Sequence, residues 1–174
     1  MKEHESLKGG PMEKRRLRDL LEALQPPAGK KLWHGGASVL GSLRGVSPEE
    51  AAWKPGSDRH TIWELALHIA YWKYAVWRRI TGEQKGGFGR GPSNWPAVPT
   101  PADARAWDSD RALLRREHER LIEAVATLDP AHLDRKPGGR GKWTHADLIL
   151  GIVLHDTYHT GQIQMLKRLY AGGR

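Results

Sequence analysis

The chain has 174 residues, is 39 % hydrophobic and carries 28 lysines and arginines against 20 aspartates and glutamates, a net charge of +8. That length suits one compact domain with a buried core, and no apolar run approaches the roughly 20 residues that span a bilayer. The absence of cysteine excludes a disulfide framework, thiolate metal ligands and a protein thiol nucleophile.

Residues 1–11 are polar and end in Gly9-Gly10-Pro11, the pattern of a mobile tail. Met12 to Gln25 then sets Leu17, Leu20, Leu21 and Leu24 at helical spacing before Pro26-Pro27 stops the helix. The positive excess gathers here, in Lys14, Arg15, Arg16 and Arg18, and then in Lys30 and Lys31. Such a run is a solvated helix face or the footprint of a polyanion, and no nucleic-acid reading element accompanies it, so nucleic acid is not the expected partner. Residues 1–27 are therefore expected to form a tail and basic helical extension to a domain over 28–174. Lys31 to Leu43 reads as a second segment weakened by Gly35, Gly36 and Gly41. Ser47-Pro48-Glu49-Glu50 gives an N-cap, a proline at N1 and a glutamate at N3 for a short helix ending by Trp53.

Thr61-Ile62-Trp63-Glu64 is a capping box that opens a long helix with Leu65, Ile69, Trp72, Val76 and Ile80 on one stripe, closed by Gly82. Gln84 to Pro99 is rich in glycine and proline and is expected to be an irregular crossover. Thr100-Pro101 is read as opening a third long helix, with Leu114, Leu121, Val125 and Leu128, closed by Asp129-Pro130. After a link containing Gly138, Gly139 and Gly141, Thr144 caps a last helix that runs to Gly172-Gly173. No period-two pattern suggests a sheet. The expected fold is all-α, a four-helix bundle with a long irregular connection between its second and third helices. With no apolar leader opening the chain, a cytoplasmic protein is expected.

His155 and His159 stand four apart, so on a helix they project from successive turns of one face and can grip a single metal ion. Spacing alone says little, because nine histidines scattered over this length give about 0.45 such pairs by chance. Placement says more. At about 100° per residue from His155, Leu148 and Leu166 fall at about 20°, His159 at about 40° and Ile152 and Tyr170 at about 60°, so both imidazoles lie within the apolar stripe. Buried imidazoles need partners, either a metal or polar groups on facing helices. His68, bordering the stripe of its own helix, is the best third ligand, although as a lone residue it also reads as a boundary histidine.

Two stretches, Ile62-Trp63-Glu64-Leu65-Ala66-Leu67-His68-Ile69 and His155-Asp156-Thr157-Tyr158-His159-Thr160-Gly161-Gln162-Ile163, resemble the DinB/YfiT-like superfamily of metal-binding four-helix bundles. Trp33-His34-Gly35 and Asn94-Trp95-Pro96 are similar to features of one of its branches. The resemblance runs from about Lys31 to Tyr170. It implies one divalent metal, usually zinc or nickel, held by one histidine of the second helix and two of the fourth, positions that match His68, His155 and His159. It also implies a homodimer and thiol chemistry, since characterised relatives resemble transferases or isomerases that use thiols such as bacillithiol or mycothiol.

Three neutral imidazoles leave zinc its full charge and an open position, the arrangement of a catalytic site. Activated water there makes a hydrolase; an activated external thiol, delivered to a small-molecule electrophile, makes a thiol S-transferase, and the sulfur has to be external because the chain has no cysteine. The resemblance favours the transferase, with the hydrolase as alternative and a non-enzymatic metal- or nucleic-acid-binding bundle as rival. Three histidines accept zinc, nickel and copper alike. For proton transfer and ligand orientation the sequence offers Glu64, which also fits the capping box; Asp156, placed to hold a ring on a neighbouring helix; and Gln162, on the histidine face. His34 and His118 lie outside the triad, His118 being a possible fourth ligand or base. Trp33, Trp63, Trp72, Trp95 and Trp143 either pack the core or line a substrate mouth.

Overall fold

The computed structural model describes residues 9–27 and 36–173. The first eight residues of the expected tail, together with Lys30, Lys31, Trp33, His34 and Gly35, lie outside them. The described chain is helical throughout, with no strand among its residues, and none of its helices is long and apolar enough to cross a membrane.

Four long helices dominate: α1 (Pro11–Leu24), α4 (Ile62–Thr81), α5 (Ala104–Ala126) and α6 (His145–Gly172), with short helices α2 (Val39–Ser42) and α3 (Pro48–Ala52) between the first two. Their ends follow local chemistry. Ser47 accepts from the Glu50 amide to start α3; Thr61 and Glu64 form a reciprocal capping box on α4, which ends in left-handed Gly82; Thr144 and Asp147 form the same box on α6. Each satisfies amides that the first turn of a helix leaves unpaired.

The start and end expected for the third long helix are corrected by a few residues. Helix α5 begins at Ala104 because Asp103, not Thr100, accepts the Ala106 amide as N-cap. It ends at Ala126, and Asp129 instead caps the 3-10 turn Pro130–His132.

Helix α1 is amphipathic in packing as well as in sequence. Leu17 and Leu24 are buried in a cluster with Leu121, Val125, Leu133, Leu148 and Ile149, and Arg16 grips Asp134 through two bonds of 2.8 and 2.9 Å. A second cluster holds Trp63, Leu67, Ile69, Trp107, Leu114 and Ile163. Trp63 near the start of α4 donates to Asp110 near the start of α5 at 2.8 Å, while Val76 meets Leu121 and Val125 farther along both helices. Helices α4 and α5 thus run in the same direction, so the connection must return along a helix of 20 residues, about 30 Å. That return path, residues 82–103, lies against α4 and α5: Phe88 meets Tyr71 and Tyr74, and Gly89 approaches Leu113. It is pinned by Arg78 to the Glu83 and Gln84 carbonyls, by buried Phe88 and by Arg90, which reaches Asp110 and the Ala97 carbonyl.

Candidate metal centre

Helix α6 runs against α4 in the opposite sense and brings His155 and His159 to His68. The Nε2 atoms of His68 and His155 lie 3.2 Å apart, and one donor nitrogen from each of the three rings falls within 4.8 Å of the others. His68 and His159 are buried and His155 is half-buried.

In two of the three rings the outer nitrogen reports which lone pair faces inward. His68 Nδ1 is 2.8 Å from the Asn94 carbonyl; a carbonyl only accepts, so Nδ1 carries the proton and Nε2 presents its lone pair. His159 Nδ1 donates to Gln162 Oε1 at 2.6 Å with the same result. His155 Nδ1 is buried without a hydrogen-bond partner among the described residues. Two imidazoles anchored through Nδ1 with Nε2 converging is the arrangement in which outer hydrogen bonds fix metal-ligating histidines. Nitrogens bound at 2.0–2.1 Å to a tetrahedral ion sit about 3.3–3.4 Å apart, close to the observed 3.2 Å. Burial pulls the pKa of His68 and His159 below the ordinary value and that of His155 to about 3. All three are therefore neutral near pH 7, as metal ligation requires.

Aromatic rings frame the cluster. Trp95 stacks on His68 at 3.9 Å and, on its other face, on His60 at 3.7 Å. Trp72 stands edge-on to His68 and 6.1 Å from His155. The crossover residues Asn94 and Trp95 thus supply one hydrogen bond and one stacking surface to the same ring. Trp63 is fully buried and belongs to the core, Trp143 is 53 % exposed, and Trp33 and His34 lie outside the described residues.

The other polar residues singled out from sequence have different partners. Glu64 Oε2 accepts the Thr61 amide at 2.7 Å and lies 3.5 Å from His60 Nδ1, while His68 is oriented by Asn94 instead. Asp156 points away from the cluster and pairs with Lys73 of α4. Gln162 bonds His159 one turn back on its own helix. His118 stays outside the three-histidine group, its Nδ1 buried without a partner among the described residues. Burial, reinforced by Lys73, takes its pKa to about 3. His145 is buried at the start of α6, its Nδ1 donating to the Arg135 carbonyl at 2.8 Å.

Lys73 is the residue that sequence reasoning missed. It is fully buried, and its ammonium bonds Asp156 Oδ2 directly behind His155. Burial raises the Asp156 pKa and the Lys73 charge opposes that rise. The signal was its position within the Ile69, Val76, Ile80 stripe of α4, where a lysine needs an anionic partner.

An all-helical protein with three imidazole nitrogens converging between two antiparallel helices belongs to the class of helical proteins able to bind a metal ion in their core. The sequence model of the DinB superfamily matches residues 32–163, and the chain belongs to that superfamily. No curated protein and no solved structure matches the chain.

Proposed function

We propose that the protein is a DinB-like four-helix bundle, built from α1, α4, α5 and α6, that holds one zinc or nickel ion on His68, His155 and His159 and uses it for thiol S-transfer. The observation that carries this reading is the convergence of three neutral imidazoles, two of which, His68 and His159, have their inward lone pairs fixed by Asn94 and Gln162. A divalent ion there supplies Lewis acidity, lowering the pKa of a thiol or water brought to its open position.

The chain's own residues do the rest. Asn94 and Gln162 hold two rings in the ligating tautomer, Trp95 covers His68 from one side, and the Lys73–Asp156 pair fixes the α4–α6 seam behind His155. With no cysteine in the sequence, the sulfur comes from a small external thiol such as bacillithiol or mycothiol. The thiol releases its proton to solvent, and its sulfur forms the new S–C bond while the electrophile's leaving group departs with the electron pair of the broken bond. Hydrolysis, with water in place of the thiol, is the second reading, favoured by the same open position.

The proposed protein partner is a second copy of the chain. Leu150, Leu154, Tyr158, Met165 and Leu169 form a stripe along α6 and are 48 to 65 % exposed, and a helix apolar on both faces is normally covered on both. The test of function is to incubate zinc-loaded protein with each thiol and a chloroaromatic electrophile, and in parallel with a nitrophenyl ester, following thiol conjugate and ester hydrolysis side by side. Conjugate formed only with wild-type protein, and lost in His155→Ala, is expected. Ester hydrolysis without conjugation sinks the transferase in favour of the hydrolase.

A further inference from the structure

A cleft of about 290 Å³ opens beside His155, between Trp72 and Val76 of α4 and Leu148 and Ile152 of α6. Its walls are mainly apolar, with Trp72 and Trp143 beside aliphatic side chains, and its volume is at the small end for ligand sites. Gly151 forms part of the floor, where an added Cβ meets nothing within 4 Å. Cations stand at its rim. The Arg79 guanidinium lies 5.8 Å over the Trp72 ring, and the Lys142 ammonium lies 4.8 Å over the exposed Trp143 ring.

Arg79 forms no ion pair with a carboxylate among the described residues, unlike Arg90, which pairs with Asp110, and Arg120, which pairs with Glu117. The acid at the cleft, Asp147, has Oδ2 committed to the Thr144 amide at 2.9 Å and hydroxyl at 2.8 Å. Arg79 and Lys142 therefore outweigh one capping carboxylate, and the walls between them are mainly apolar. Trp72 touches both the guanidinium and the His155 ring, so the cation and the histidine cluster face one ligand-sized space from opposite ends.

We propose that this cleft binds a small organic anion with a flat apolar body, its charged group against Arg79 and its body between Trp72 and Ile152. The orientation of its far end toward His155 as the reacting end rests on the metal-dependent reading above; the binding itself does not.

The test uses calorimetric titration of the full chain, zinc-loaded and zinc-stripped, with 2-naphthoate and its neutral analogue 2-naphthalenemethanol. Naphthoate is expected to bind about two- to fivefold tighter than the alcohol, the upper range for an exposed ion pair, and to weaken with salt. Arg79→Met should remove that preference and leave alcohol binding unchanged. Gly151→Leu, which raises helix propensity while filling the cleft, should abolish binding of both with unchanged circular dichroism. Equal affinity for acid and alcohol, an unaltered preference in Arg79→Met, or undiminished binding in Gly151→Leu overturns the proposal. Preference for naphthoate in the zinc-stripped protein excludes direct ligation of the metal as its cause. A chain that holds no zinc yet shows Arg79-dependent binding overturns the metal reading alone; one that holds zinc and binds neither probe overturns this proposal alone.

Discussion

The Nε2 atoms of His68 and His155 approach to 3.2 Å across 87 positions of sequence. Two neutral imidazoles that meet through lone pairs gain nothing from each other unless a proton or a cation lies between them. His68 has its proton on Nδ1, held by Asn94, so its inward Nε2 is an acceptor that either a proton on His155 Nε2 or a cation satisfies.

Gln162 gives the first prediction. Its amide oxygen holds the His159 tautomer, so Gln162→Leu should lower zinc affinity about 10- to 100-fold, and Gln162→Glu, which keeps an acceptor, should restore most of it. Competition with a chromophoric chelator measures both. Equal affinity in wild type and Gln162→Leu would mean that this bond does not orient a ligand.

Lys73 and Asp156 form a buried ion pair. Lys73→Met leaves a buried carboxylate without its counter-charge and should destabilise the fold by about 3–5 kcal/mol, whereas Lys73→Met with Asp156→Leu should recover most of that loss. Urea denaturation of the three proteins decides it, and a double variant no more stable than Lys73→Met contradicts the pairing.

His118 sets a pH dependence. Burial beside Lys73 depresses its pKa to about 3 from the ordinary value of 6.5, so the unfolded chain binds a proton that the folded chain refuses. This contribution is fully present above pH 6.5 and is lost progressively as pH falls toward 3. The slope is about 1.4 kcal/mol per pH unit in that window. In metal-free protein, denaturation at pH 6, 5 and 4 should show that slope reduced by one proton in His118→Gln. Parallel curves for the two proteins would show that His118 titrates normally.

The α6 stripe predicts assembly. Tyr158→Glu or Leu154→Glu places a charge on an apolar surface more than half exposed in the single chain and should convert a dimer to a monomer with the helix content unchanged. Light scattering reads the mass directly, and a wild-type monomer at micromolar concentration contradicts the proposal.

Much of the site was legible because helical periodicity carries it. His155 and His159 fall within an apolar stripe by angle alone, and the Thr61–Glu64 capping box fixes the register that puts His68 at the edge of its own. Asn94 and Trp95 were visible as part of a resemblance, but their contacts with His68 depend on how a glycine- and proline-rich crossover returns along parallel helices, which no local pattern encodes. The Lys73–Asp156 pair was half legible, as a lysine within an apolar stripe whose partner lies 83 residues away. The start of α5 was misplaced because Pro101 suggests a helix start, whereas the Asp103 side chain supplies the actual cap.

Elemental analysis of untagged protein, wild type beside His68→Ala and His155→Ala, with circular dichroism on all three, decides whether α4 and α6 share one ion. About one zinc or nickel ion per chain is expected in the wild type, with loss of that ion in both variants and unchanged helix content. A wild-type protein that takes up no divalent ion after supplementation, or variants that retain a full equivalent, would contradict the shared site and leave His68, His155 and His159 as packed core residues.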